Sequence, residues 1–231
     1  MSSYIYISRQ IPPRLMSATK HTIRTPNLSL FLGRRNTGKS TLMIYLLRTL
    51  CKAGKFNWVR VYSPTAFTGV WAAIVGEANV EAVFDTEELE AILESQAGIR
   101  SRGGDNPGLV ILDDCLGACS FQNDLWTRIA SSGRHYALTF WVSAQHVFKL
   151  PPVIRSNADY TYILGVQGDR VAKALWEEGG GLGIPTWQEF REKLAGAVKD
   201  FGALVVDSHD QAHPLRNIRA PARPTLFKIQ Q

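Results

Sequence analysis

The sequence predicts an α/β fold with a mainly parallel central sheet flanked by helices, and three observations carry this. Short apolar runs recur along the chain and read as strands at 28–32, 58–63, 109–112, 138–144, 160–164 and 203–206. The stretches between them are long enough for helices, and strands alternating with helices give parallel pairing. The runs are nearly continuous in apolarity, which suits strands covered on both faces. At 231 residues and 45% apolar content the chain can bury one substantial core, so one domain is expected.

Taken in order, residues 1–27 are polar and broken by proline ("IPPR", "RTPN"), which predicts a basic N-terminal arm ahead of a main fold spanning 28–208. The first strand, "LSLFL", runs directly into a glycine-bounded loop and then into the apolar helix "STLMIYLL". In "DTEELEAILESQA", Asp85 and Glu88 have capping-box spacing, with Leu89, Ile92 and Leu93 on one face. Thr186 and Glu189 repeat the device in "PTWQEFREKLAG", which is expected to close on Gly196. The glycines of "EEGGGLGIP" follow no strand and precede a proline, so they read as a connector. Residues 209–231 are expected to form a basic C-terminal tail.

Charge is unevenly spread. The formal net charge is +6, yet residues 1–76 hold eleven Lys/Arg and no acid, Glu77 being the first carboxylate. From Gln211 onward Arg216, Arg219, Arg223 and Lys228 are again unaccompanied by acids. This asymmetry points to a polyanionic partner such as nucleic acid, or to a basic end docked on an acidic neighbouring subunit. No window of eighteen apolar residues and no signal-peptide layout is present, so a soluble intracellular protein with no membrane span is expected. Cys51, Cys115 and Cys119 read as reduced thiols. Cys115 and Cys119 form a C-x3-C with no histidine nearer than His135, which argues against zinc.

The loop Gly33, Arg34, Arg35, Asn36, Thr37, Gly38, Lys39, Ser40 satisfies G-x-x-x-x-G-K-[ST], with Thr41 continuing into the helix. Its glycines let backbone N–H groups turn inward to form an anion cradle continued by the positive helix end. ATP and Mg²⁺ are the expected ligands: Lys39 reaches the β- and γ-phosphates, and Ser40 sets its hydroxyl on the metal. Arg34 and Arg35 have three readings here: charge near the phosphates, a face toward a neighbouring subunit, or plain solvated arginines.

"GLVILDDCLG" ends an apolar run on two acids, so Asp113 and Asp114 are expected at the carboxyl edge of the sheet, where ligands bind in such folds. Asp113 is the metal-side acid. Asp114, on the other side of the strand end, is either a general base for an attacking water or a cap for the next turn. "LTFWVSAQ" brings Gln145 to the same edge, as a sensor of the γ-phosphate or as an ordinary strand-end polar residue. A GTP-binding switch needs N-K-x-D, which is absent, and a nucleoside kinase needs an arginine-studded lid, which Arg100 and Arg102 in "GIRSRGGDNPG" only imitate.

In this order, "GRRNTGKST", "LVILDDC", "SSGRHYALTFWVSAQH" and "LPPVIRSNADYTYIL" resemble the viral genome-packaging ATPases of the FtsK–HerA superfamily, over roughly residues 28–206. The resemblance is to the branch found in poxviruses, other large DNA viruses and tailless internal-membrane phages. It implies a RecA-like P-loop core of the additional-strand catalytic-acid type. It also implies a homo-oligomeric ring, pentamer or hexamer, that hydrolyses ATP to drive double-stranded DNA into a preformed capsid. Lys39 and Ser40 would then bind phosphate and Mg²⁺, Asp113 and Asp114 would be the metal-side and catalytic acids, and Gln145 the sensor. Arg134 and Arg155 match family arginines that could act across a subunit boundary, with an effect of about 10³ to 10⁵ in rate for such a finger; surface charges or contacts to a phosphate backbone are the other readings of both. The superfamily prefers Glu where Asp114 stands. Capsid-vertex or portal-like proteins are implied partners, and the host cytoplasm or the virion vertex the implied location. A cellular or plasmid DNA pump or secretion ATPase, and a nucleotide-dependent capsid assembly factor that does not hydrolyse ATP, are the alternatives.

Overall fold

The computed structural model describes residues 22–115, 124–165, 168–178, 184–210 and 215–220. In chain order the strands are β1 (Leu28–Leu32), β2 (Trp58–Tyr62), β3 (Val80–Glu81), β4 (Gly108–Asp113), β5 (Leu138–Ala144), β6 (Tyr160–Ile163), β7 (Gly202–Asp207) and β8 (Leu215–Arg219). The helices are α1 (Lys39–Lys52), α2 (Ala72–Val75), α3 (Thr86–Ser101), α4 (Asp124–Ser132), α5 (Pro152–Ser156), α6 (Gly168–Glu178) and α7 (Trp187–Ala197). The strands form one eight-stranded sheet in the order β3-β2-β4-β5-β1-β6-β7-β8. Pairing is parallel from β3 to β6 and antiparallel from β6 through β7 to β8, as the sequence predicts for a mainly parallel sheet.

Both faces of the sheet are covered, and alternation along each strand divides the core in two. Leu28, Leu30 and Leu32 pack with Val110, Leu112, Phe140 and Val142 beneath α3, α4 and α5. Phe31 faces the other way and joins Leu109, Ile111 and Trp141 beneath α1. Its ring stacks on Tyr162 at 4.5 Å between centroids. Each fully buried side chain of this size contributes about 1.5–3 kcal/mol, so the central strands carry the stability that holds the sheet edge rigid.

All six expected strands form within about a residue of their expected bounds. Two strands were not expected. Val80–Glu81 is too short to show periodicity, and Leu215–Arg219 lies in the segment read from sequence as a basic tail. That segment instead adds β8 to the sheet, and its basic composition suits an edge strand that must not recruit another. The remaining tail positions 211–214 and 221–231, residues 1–21 of the arm, and the glycines at 179–183 lie outside the described residues.

The capping signals need two corrections. The Asp85 side chain caps α3 by accepting from the Glu87 and Glu88 backbone N–H groups. The reciprocal half of the box does not form, because Glu88 is drawn to the Arg60 guanidinium at 2.6 Å. Thr186 caps α7 through the Glu189 N–H, but α7 does not close on Gly196; it runs to Ala197. The left-handed turn expected of that glycine falls later, on Asp200 and Phe201 at φ 50° and 62°.

Of the cysteines, Cys51 has its thiol pushed up to about 11 by burial, as befits an unreactive core thiol. Cys115 is buried with Sγ 3.0 Å from the Tyr62 carbonyl oxygen, and Cys119 lies outside the described residues. Among the described residues no cluster of His, Cys, Asp and Glu offers three metal ligands, and no helix is long and apolar enough to cross a membrane.

Candidate nucleotide site

The site forms at the carboxyl edge of the parallel strands, where β1, β4 and β5 end. The loop after β1 is pinned at both flanks: the Gly33 N–H donates to the Ala144 carbonyl at the end of β5, and the Arg34 N–H to the Gly165 carbonyl after β6. Gly33 is required by closeness, since a Cβ there would sit 2.6 Å from Thr37 Oγ1. Gly38 is required by conformation, at φ 91°, and with Asn36 at φ 60° it turns the chain into α1. The Thr37 hydroxyl donates to the Arg34 carbonyl at 2.8 Å, which tightens the loop.

Lys39, the first residue of α1, is 8% exposed and lies back along the loop, with Nζ donating to the Gly33 and Arg34 carbonyls at 2.8 and 2.9 Å. Burial pulls its pKa below the usual lysine value. Asp114 and Asp113 oppose that shift, and Arg35 adds to it. Arg34 and Arg35 themselves are exposed on the outside of the loop. Arg35 is thus close enough for its charge to be felt by Lys39.

Asp113 is buried at the tip of β4 and saturated with donors. Ser40 Oγ and the Trp71 indole Nε1 donate to Oδ2 at 2.8 and 2.9 Å, and Ser143 Oγ donates to Oδ1 at 2.7 Å. The bond from Ser40 to Asp113 unites two motifs 73 residues apart. A hydroxyl and a carboxylate oxygen held side by side are hard oxygen donors, which fit Mg²⁺. Ser143 and Trp71 were not singled out from sequence. Ser143 gives a faint signal as a polar residue near the end of an otherwise apolar strand, whereas nothing around Trp71 marks it.

Asp114 takes φ 61°, so the chain swings its carboxylate away from that of Asp113. Its N–H donates to Ser143 Oγ at 2.9 Å, and its Oδ2 accepts a short hydrogen bond from Gln145 Nε2. The carboxylate therefore faces Gln145, just past the end of β5; the turn that follows runs into residues 116–123, outside the described residues. Ser143 bridges the two acids, receiving from one residue's backbone and donating to the other's side chain.

The two candidate finger arginines lie apart from this cluster. Arg134 sits in the turn before β5, at the opposite, amino edge of the sheet, 3.5 Å from the buried Asp159 carboxylate. Arg155 on α5 donates to the Leu150 carbonyl at 2.6 Å and lies over the Phe148 ring at 6.0 Å. Arg100, also at the amino edge, pairs with Asp105 at 2.9 Å.

Trp71→Phe removes one hydrogen bond to a buried carboxylate and leaves a cavity where the second ring of the buried indole packed. It is expected to destabilise the protein by about 2–4 kcal/mol, read as a lower denaturant midpoint at unchanged slope.

The genome packaging NTPase B204 from Sulfolobus turreted icosahedral virus 2, solved with AMPPCP, superposes with a TM-score of 0.61 at 15% identity, covering 86% of this chain and all of that one. This chain shares the fold of a viral genome-packaging NTPase. The likeness extends, at a TM-score of 0.58 and 14% identity, to EssC ATPases 2 and 3 from Geobacillus thermodenitrificans, over 80% of this chain and 38% of that one. Among curated sequences, the uncharacterized protein 075L of Invertebrate iridescent virus 6 is 27% identical over 186 residues, 78% of this chain and 70% of that protein. Uncharacterized protein 088R of Invertebrate iridescent virus 3 is 27% identical over 177 residues, 76% of this chain and 67% of that protein. No family model matches the chain. The P-loop fold expected from the sequence is therefore present, and the B204 fold has been solved around nucleotide analogues.

Proposed function

We propose that this chain is an ATP-hydrolysing motor that moves viral double-stranded DNA into a preformed capsid. The observation that carries the reading is the convergence of Ser40, Asp113, Asp114 and Gln145 on one sheet edge beside the phosphate loop, in a fold shared with a genome-packaging NTPase.

In this reading the loop N–H groups and the α1 N-terminus hold the phosphates, and Lys39 leaves the Gly33 and Arg34 carbonyls to meet the β- and γ-phosphates. Ser40 and Asp113 hold Mg²⁺, which when bound neutralises charge on the β- and γ-phosphate oxygens. Asp114 takes the proton of the attacking water, and its Oδ2 is already oriented by Gln145. Gln145 thereby links the hydrolytic carboxylate to the end of β5, so that a change at the γ-phosphate is felt by the strand.

Arg134 and Arg155 are the candidates for insertion into a neighbour's site within a homo-oligomeric ring. The amino-edge arginines Arg100 and Arg102 belong to a surface suited to sequence-independent contact with DNA phosphates. Capsid-vertex proteins as partners, and the host cytoplasm or virion vertex as location, follow from the same reading.

The test is ATP hydrolysis with and without double-stranded DNA. Stimulation by DNA that weakens as salt rises is expected, because the contacts are electrostatic. Hydrolysis indifferent to DNA of any length would sink the translocase reading, and no hydrolysis under either condition would favour the assembly factor that does not hydrolyse ATP.

A further inference from the structure

Phe201 is an aromatic side chain that the core does not use. It is 48% exposed, yet it lies against the phosphate loop: a Cβ built on Gly38 would be 3.7 Å from both Phe201 Cβ and Cδ1. Its backbone is held in a costly conformation. Asp200 and Phe201 both occupy the left-handed region, at φ 50° and 62°, where residues with side chains are disfavoured. The turn is kept in place from two sides. Arg219 on β8 donates to the Lys199 carbonyl at 2.8 Å and lies 3.8 Å from the Asp200 carboxylate. Gly202 follows so closely on the end of α7 that a Cβ there would meet the Ala197 carbonyl oxygen at 2.1 Å.

The sheet order says which part of a nucleotide this ring would meet. Asp113, Asp114 and Gln145 stand at the ends of β4 and β5, on one side of β1, so the terminal phosphate and metal belong there. A triphosphate lying across the loop then directs its nucleoside to the other side of β1, toward β6 and β7. Because β7 is antiparallel to β6, with Leu204 opposite Ile163, the start of β7 lies at the same edge as the ends of the parallel strands. Phe201 is the residue just before it.

We infer that Phe201 is the platform on which the base of the bound nucleoside triphosphate stacks, held up by the Lys199–Phe201 turn and its Arg219 clamp. This rests on the phosphate-loop reading of the site. A phenyl ring offers a π-face and no hydrogen bond, so the platform tells a nucleotide from a bare polyphosphate without selecting strongly between purines.

Equilibrium binding of Mg²⁺–ATP and of inorganic tripolyphosphate to the full chain tests it. Phe201→Ala is expected to weaken ATP about tenfold or more and leave tripolyphosphate unchanged. Phe201→Leu, which keeps apolar bulk against Gly38, should behave alike, and Phe201→Tyr should restore wild-type ATP affinity. Unaltered ATP affinity in Phe201→Ala and Phe201→Leu, or a loss shared equally by tripolyphosphate in both, overturns the platform alone. Wild-type protein that binds neither probe overturns the phosphate-loop reading and the platform with it.

Discussion

Replacing Asp114 with asparagine is expected to lower ATP turnover about 10²–10⁴-fold while ATP affinity is retained, the range a positioned general base supplies. Asparagine is the informative change because little else is altered. Its amide oxygen can still accept from Gln145 Nε2, as Asp114 Oδ2 does. It also tolerates φ 61° as well as aspartate does, so the turn after β4 stays intact. What disappears is the ability to accept a proton from water. Single-turnover hydrolysis with pre-bound ATP separates the chemical step from binding. Unchanged turnover would remove Asp114 from the chemistry.

Lys39→Met is expected to uncouple stability from binding. In the free protein the ammonium is 8% exposed, and burial lowers its pKa, so the fold disfavours the charge at that spot even with two carbonyls to receive it. Methionine fills similar apolar volume and removes that penalty, but it also removes the two hydrogen bonds to the Gly33 and Arg34 carbonyls. The two changes oppose each other, so the melting temperature should shift little. ATP binding should fall about 10²–10³-fold, the equivalent of losing charge-assisted hydrogen bonds to two phosphates at about 1.5–3 kcal/mol each, partly offset by the two carbonyls that Lys39 no longer leaves. Differential scanning calorimetry and ATP titration of the same preparation check both halves. A large drop in stability with affinity preserved would mean that Lys39 is a structural strut.

The sheet was legible in the sequence because its central strands are buried on both faces, so their composition alone separates them from the helices. Elements lacking that signature were missed. β3 is two residues long, and β8 is a basic edge strand whose partner, β7, is known only once the sheet is built. Capping was legible where a single side chain acts on its own helix, as with Asp85 and Thr186. It failed where a distant residue competed, as Arg60 does for Glu88.

Within the site, local pattern was enough for the loop, the paired aspartates and Gln145, because phosphate binding imposes a spacing on contiguous residues. The supporting shell was not readable in this way. Trp71, Ser143 and Phe201 reach the site from α2's approach, from β5 and from the turn before β7, and no fixed spacing links them to the loop.

The sequence by itself determined the strand-loop-helix cradle and the identities of the groups proposed to face phosphate and metal, since both follow from covalent neighbours and periodicity. Only the tertiary structure decided their relations. It set Asp113 under three donors and turned Asp114 toward Gln145. It set Arg134 beside Asp159 at the amino edge, and it brought Phe201 against Gly38. The order in which strands assemble side by side makes those contacts, and strand order is written in the packing of the whole sheet and not in any one stretch of chain.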